Sequence, residues 1–278
     1  MADIKWTDLA TPDPEFKAFY DTIGPLPKFS KDVVIPIAAM REMSQAARPT
    51  IPGVTVPESW ESVEKSRIMI PVRDGSAVSA LLYRPVREVE GGRPLIVAYH
   101  GGGWCLGTPE FEEVNCVNAV QKFGAVAVSV DYRLAPEYPF PTPVNDAWDS
   151  LKWIAANASS LQADPSRGFI VHGESAGANF AVVLAHLARD EKLSPPLTGV
   201  SASIPAVLSP SVVPDRFKPD YLSYEQNRDA PGLDAASMEY LVGNYNPDHS
   251  SPLFNPFNWP TGHQGLPPVF FQVCGKSI

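Results

Sequence analysis

An apolar strand that must turn sharply into a helix around a serine constrains this chain more than any other feature. Phe169-Ile170-Val171-His172 is aromatic and β-branched, Gly173-Glu174-Ser175-Ala176-Gly177 follows at once, and Ala176 to Arg189 is helix-forming. Gly-x-Ser-x-Gly is a weak pattern by itself, but a strand before it and a helix after it make a strand–turn–helix with the serine at the tip. Glycine is needed at 173 and 177 because the turn is tight and the helix packs against the sheet, which leaves no room for a Cβ. The serine is pushed out at the carboxyl end of the sheet. It lies at a helix N-terminus, where the dipole favours developing negative charge. Ser175 is therefore the candidate nucleophile.

The sheet that such a turn requires is legible on both sides of it. Arg67–Val72 and Val78–Arg84 are short strand-like runs with Asp74-Gly75 between them, a hairpin signal. Leu95–Tyr99, Ala125–Val130, Gly168–His172 and Thr198–Ile204 have the character of buried strands, and Pro268–Cys274 predicts a seventh. Helical stretches at about 112–122, 145–157 and 176–190 separate them. The alternation implies an α/β fold with a mostly parallel, doubly wound sheet opened by an antiparallel hairpin. Residues 1–60 read as proline-broken helices, one opening at Pro12-Asp13-Pro14-Glu15 and another running from Asp32 to Ala47. Residues 61–208 and 251–278 form the core, and 209–250 an insertion. The chain has 30 prolines, clustered at Pro136–Pro143 and Pro205–Pro219, which implies long ordered loops of the functional or covering kind.

His100-Gly101-Gly102-Gly103-Trp104 follows the third strand directly. Three successive glycines let bare N–H groups converge on one point, as the tetrahedral intermediate of acyl transfer requires. Ala176, next to the serine, supplies a further N–H. A side chain at Gly102 or Gly103 is expected to disturb these donors, and Gly102→Ala to do so while leaving the fold intact.

The His-Gly-Gly-Gly-Trp box, the Gly-Glu-Ser-Ala-Gly turn, Asp131-Tyr132-Arg133-Leu134-Ala135-Pro136-Glu137, Tyr138-Pro139-Phe140-Pro141 and Asp146 stand in one order and spacing. In this the chain resembles the hormone-sensitive-lipase-like esterases of the α/β-hydrolase fold, from about residue 60 to Cys274, and its overall look resembles fungal members. The resemblance implies a serine carboxylesterase acting on short or medium acyl esters without a cofactor. It implies Gly102, Gly103 and Ala176 as the oxyanion donors. It also implies that the N-terminal helices and the 209–250 insertion cap the serine. Arg133 is expected to pair with Asp131 or Asp146 and lock the proline loop, a structural role.

In this fold the catalytic acid and then the histidine follow the serine in the chain. The resemblance places the acid just past the strand ending at Cys274 and the histidine later still, but Gly275-Lys276-Ser277-Ile278 closes the sequence. No triad acid or base is assigned. His172 lies under the turn in its strand. His186 is eleven residues along the helix, about 16 Å away at 1.5 Å per residue. His263 precedes the seventh strand and belongs at the far end of the sheet, and His100 heads the glycine box as a loop anchor. His249, in the return from the insertion, is the only one with a route to the site, and for all five a structural role is expected. The chain is thus expected to be a truncated and impaired esterase, with its seventh strand an exposed edge open to aggregation or to pairing with another chain, as in a homodimer. The alternatives are a non-catalytic ligand-binding protein on the same scaffold, or a biosynthetic acyl transferase or cyclase using Ser175.

The remaining features narrow the class. Net charge is −9, from 22 basic and 31 acidic residues, and nucleic-acid binding needs a basic face. No apolar run reaches the length of a membrane span, and the opening residues have no signal core. Three scattered cysteines (Cys105, Cys116, Cys274) make neither a disulfide framework nor a zinc spacing, so a cytoplasmic location and no metal are expected. The expected partner is a small-molecule ester. Tyr221, Tyr224, Phe254 and Trp259 are candidates to line an apolar pocket, although ordinary packing is the favoured reading for each.

Overall fold

The apolar runs become the strands of one seven-stranded sheet: β1 (Val63–Pro71), β2 (Ala77–Pro85), β3 (Leu95–Tyr99), β4 (Val126–Asp131), β5 (Phe169–Glu174), β6 (Gly199–Ser203) and β7 (Val269–Gln272). This computed structural model describes residues 11–24, 35–47, 60–87 and 92–274. The sheet order is β1-β2-β4-β3-β5-β6-β7. β2 runs antiparallel to β1 and β4, and all other neighbours are parallel. β1 starts four residues earlier than the sequence pattern suggests. Glu64, Lys65 and Ser66 carry no apolar signal, and they are held in the ladder by pairing with Arg84, Tyr83 and Leu82. In the hairpin turn, Asp74 Oδ1 accepts the Ser76 N–H at 3.0 Å and its hydroxyl at 2.6 Å, an Asx turn that leaves Gly75 at φ 85°.

Helices cover both faces. α3 (Glu113–Phe123) packs Cys116, Val117 and Val120 onto Leu81, Tyr83, Ala98 and Ala127. It ends at Gly124, whose φ of 63° and N–H to Val120 O at 2.9 Å form a left-handed cap. On the opposite face α4 (Thr142–Ala156) and α5 (Ala176–Asp190) bring Leu151, Ile154, Phe180 and Leu184 against Val97, Tyr99 and Val128. Each such side chain contributes about 1.5–3 kcal/mol on leaving water. β7 closes the order as an edge strand, with Phe270, Phe271 and Val273 exposed.

Of the N-terminal helices, α1 (Pro14–Ile23) is capped by Asp13. α2 (Ile37–Ala47) begins five residues later than expected; residues 25–34, into which that expectation extends, lie outside the described residues, as do 48–59 and 275–278. Ile37 and Met40 of α2 are buried in the main core. The 209–250 segment consists of turns, the short α6 (Ser223–Gln226) and α7 (Ala235–Tyr245). Leu241 and Tyr245 of α7 also join the main core, so this segment is packed into the body.

The proline loop is locked as its sequence suggests, by one of the two expected acids. Arg133 donates from Nε and Nη2 to the two oxygens of Asp146 at 2.8 and 2.7 Å, and from its backbone N at 3.1 Å. Asp131 instead accepts the Ser79 hydroxyl at 2.7 Å. Asp146 is buried, whereas Asp74, which takes Arg133 Nη1 at 2.6 Å, is half exposed. Breaking a buried pair leaves an uncompensated charge. Asp146→Ala is therefore expected to lower unfolding free energy by about 3–5 kcal/mol in urea denaturation, while Asp74→Ala, which gives up the turn bonds to Ser76 and a half-exposed ion pair, lowers it by much less.

Candidate active site

Ser175 sits between β5 and α5 at φ 52°, ψ −114°, a backbone region a serine occupies only under constraint. Its N–H donates to Ser203 O at 2.8 Å, and its carbonyl accepts from Asn179 N at 2.9 Å. The flanking glycines are there for space. A Cβ on Gly173 would strike the Gly177 carbonyl, and one on Gly177 would strike the Tyr99 carbonyl and approach His100 O to 2.7 Å. The helix start thus lies directly on the backbone at the end of β3, as the sequence implied.

That contact brings the glycine box to the serine. A Cβ on Gly101 would stand 3.1 Å from Glu174 O and 3.4 Å from Ser175 Cβ. Gly102 and Gly103 have φ of 119° and 58°. The Gly102 carbonyl accepts from Cys105 N at 3.1 Å and Leu106 N at 2.9 Å. The N–H groups of Gly102 and Gly103 donate to no acceptor among the described residues. Ala176 opens α5, where the helix offers its N–H no partner.

Two aromatic contacts hold the box. The buried His100 ring stacks on Tyr132 at 4.3 Å, its Nδ1 lies 2.7 Å from Gly101 O, and Tyr132 Oη donates to His100 O at 2.7 Å. Burial pushes the His100 pKa down, so the ring is neutral and Nδ1 carries the proton given to Gly101. Trp104, at φ 63°, stacks on Tyr245 at 4.8 Å. Arg41 of α2 adds a staple that no sequence pattern signals. It donates to Cys105 O and Ala135 O, each at 2.8 Å, and grips Glu137 with both Nη groups. The guanidinium holds the Glu137 carboxyl below its ordinary range.

None of the five histidines hydrogen-bonds Ser175. His172 spans Ser201 and Glu112. His186 Nε2 meets His263 Nδ1 at 2.9 Å, away from the turn. His249 stands 3.3 Å from Ser209 Oγ and 3.4 Å from Ser211 Oγ. It faces a cavity of about 400 Å³ whose wall includes Trp104, Val207, Tyr221, Tyr224, Val242 and Phe254. Three of the four expected aromatics line that cavity. Trp259 does not: its ring stacks on His186 at 4.5 Å and its Nε1 donates to Asp190 at 2.8 Å. Asn179 Nδ2 fixes the cavity wall by donating to Ala206 O and Phe254 O. Among the described residues no group of three or more His, Cys, Asp or Glu side chains is disposed to hold a metal, and no helix is long and apolar enough to cross a membrane.

The alpha/beta hydrolase fold family matches over residues 96–278. An AB hydrolase superfamily protein of Schizosaccharomyces pombe is 39% identical over 99% of this chain and 80% of its own length. The versiconal hemiacetal acetate esterase of Dothistroma septosporum is 32% identical over 84% of this chain and 68% of its own. Among solved structures, vibralactone cyclase superposes with a TM-score of 0.82 at 33% identity, over 96% of this chain and 78% of its own. The chain belongs to the alpha/beta hydrolase fold family, and by lineage it is a hydrolase of the serine esterase type.

The expectation that the glycine box tolerates side chains structurally is corrected at Gly102. A Cβ there would collide with the Leu106 carbonyl, whereas at Gly103 it would meet the flexible end of Leu241 at 2.6 Å. Gly103→Ala is expected to cost about 1–2 kcal/mol through its left-handed φ, plus a steric part against Leu241 that is smaller in a Leu241→Ala background than in the unaltered chain. Gly102→Ala should cost more, and by the same amount in both backgrounds. Thermal melts of the three single variants and the two doubles check this.

Proposed function

We propose that the site hydrolyses carboxylic esters of short or medium acyl chains, with Ser175 as nucleophile and the N–H groups of Gly102, Gly103 and Ala176 as oxyanion donors. The observation that carries this reading is the apposition of the glycine box to the strained serine, with the Gly101 Cβ position 3.4 Å from Ser175 Cβ. Attack by Ser175 Oγ on an ester carbonyl moves negative charge onto the carbonyl oxygen. Preorganised N–H groups stabilise that charge, each worth roughly 100–1,000-fold in rate. The cavity beside Trp104 takes the apolar part of the ester. Its volume of about 400 Å³ suits a small ester.

A serine hydroxyl is a weak nucleophile until a base takes its proton, and the leaving alcohol needs that proton back. The five histidines are committed elsewhere, so residues 1–278 are expected to hydrolyse p-nitrophenyl acetate barely above the Ser175→Ala background. A chimaera continued from Cys274 with a tail that carries an aspartate and then a histidine, in the order this fold uses, is expected to gain about a thousandfold or more in kcat/KM. If the 278-residue polypeptide turns esters over at ordinary enzyme rates and Ser175→Ala abolishes them, a base is present. His249, facing the cavity, is then the first residue to replace.

The superposition on vibralactone cyclase favours a second reading, in which the acyl group on Ser175 passes to a hydroxyl of the same molecule instead of water. Reaction of the chimaera in H2¹⁸O separates the two. Hydrolysis places the label in the released acid, and cyclisation yields an unlabelled lactone.

A further inference from the structure

Among the five histidines, His172 is the one set between a serine hydroxyl and a carboxylate. β5 and β6 place His172 opposite Ser201 in parallel register. His172 Nδ1 lies 3.1 Å from Ser201 Oγ, and Nε2 lies 3.1 Å from Glu112 Oε2. Glu112 comes from the turn that leads into α3 and is buried, with 1% of its side chain exposed. Asn115 Nδ2 donates to the same carboxylate oxygen at 2.9 Å and passes 3.3 Å from Nε2. A carboxylate only accepts, so with neutral imidazole Nε2 holds the proton and Nδ1 is left as a bare acceptor aimed at the serine. This is the order nucleophile, base, orienting acid. Ser201 is half-buried, and its neighbour in register on the edge strand, Phe270, is exposed.

We propose that Ser201 is a second nucleophilic serine, activated by His172 and Glu112, which captures acyl groups from small activated esters such as aryl esters. Ser201 Oγ bonds to the acyl carbon as its proton moves to His172 Nδ1. The bond from acyl carbon to aryl oxygen breaks with its electron pair, and the departing phenolate takes the proton from the imidazolium. The amides flanking Ser201 lie in the β5–β6–β7 ladder rather than in an open glycine turn. No oxyanion donors are therefore presented, and the acyl group is captured once without rapid turnover. The proposal does not depend on the role assigned to Ser175.

Treatment of the 278-residue chain with p-nitrophenyl acetate, and separately with a fluorophosphonate, tests it by tandem mass spectrometry. Trypsin places the two serines on different peptides, Ser175 within 168–189 and Ser201 within 193–216. Ser203 shares the second peptide and lies two residues along the same strand. Its hydroxyl bonds Gln272 Oε1 at 3.2 Å with no imidazole beside it, so it is an internal control. The expected result is adduct on Ser201 in preference to Ser203, unchanged in Ser175→Ala and reduced roughly 100-fold in His172→Gln, the scale of a lost general base. Glu112→Gln should lower the rate less while the melting temperature is followed alongside. If Ser201 is modified no faster than Ser203 in the folded protein, the Glu112–His172–Ser201 chain is only a structural tie between the α3 turn and the sheet, and the proposal falls.

Discussion

The start of α5 lies so close to the end of β3 that a Cβ at Gly177 would overlap the Tyr99 carbonyl. This backbone-on-backbone approach sets the position of everything around the serine. It fixes how far the helix N-terminus stands from the sheet and forces Ser175 to φ 52°. It also brings the glycine box, which continues from Tyr99, so near the serine that a Cβ on Gly101 would touch Ser175 Cβ. Strain at a turn of this kind persists only where surrounding structure over-determines it. Here the ladder bond to Ser203 O and the first helical bond, from Asn179 N, hold the residue from both sides.

The loops at the carboxyl end of the sheet are held by different means, each suited to what the loop must do. The glycine box lacks side chains of its own to pack, so rings on either side of it anchor it, His100 on Tyr132 and Trp104 on Tyr245. The following turn is held by charge-assisted bonds from Arg41 to main-chain carbonyls, which tie α2 to the box without adding bulk near the serine. The proline loop is held by the buried Arg133–Asp146 pair. An arginine fork satisfies both carboxylate oxygens, which offsets much of the cost of taking the charges out of water. The box can thus leave the N–H groups of Gly102 and Gly103 unspent, because the stability of the region comes from its neighbours.

Much of this was legible in residue order. The runs at 95–99, 126–130 and 169–172 are strands because β-branched and aromatic residues there bury on both faces of a parallel sheet, and such runs stand out against polar helix surfaces. The elbow and the box were legible because glycine at 102, 173 and 177 reports a local backbone requirement that needs no knowledge of the fold. The first half of β1 was not, since Glu64, Lys65 and Ser66 are strand residues only by virtue of their partners on β2. Whether Trp259 lines the cavity or simply packs was not legible either, for a related reason. An aromatic side chain announces burial, not which neighbour buries it, and the partner here is His186 on α5.

The sequence by itself determined the order of strands and helices, the sharp turn at Ser175 and the presence of free backbone donors after β3. These follow from local sterics and from apolar periodicity. Tertiary structure alone decided which side chains meet. Arg41 reaches the Cys105 and Ala135 carbonyls across 64 and 94 residues of chain, and Gly102 proves to be sterically closed by Leu106. The histidine that lies between a serine and a carboxylate is His172, facing Ser201 across 29 residues. Contacts of that kind depend on sheet register and on which face a helix covers, and no spacing along one chain encodes either.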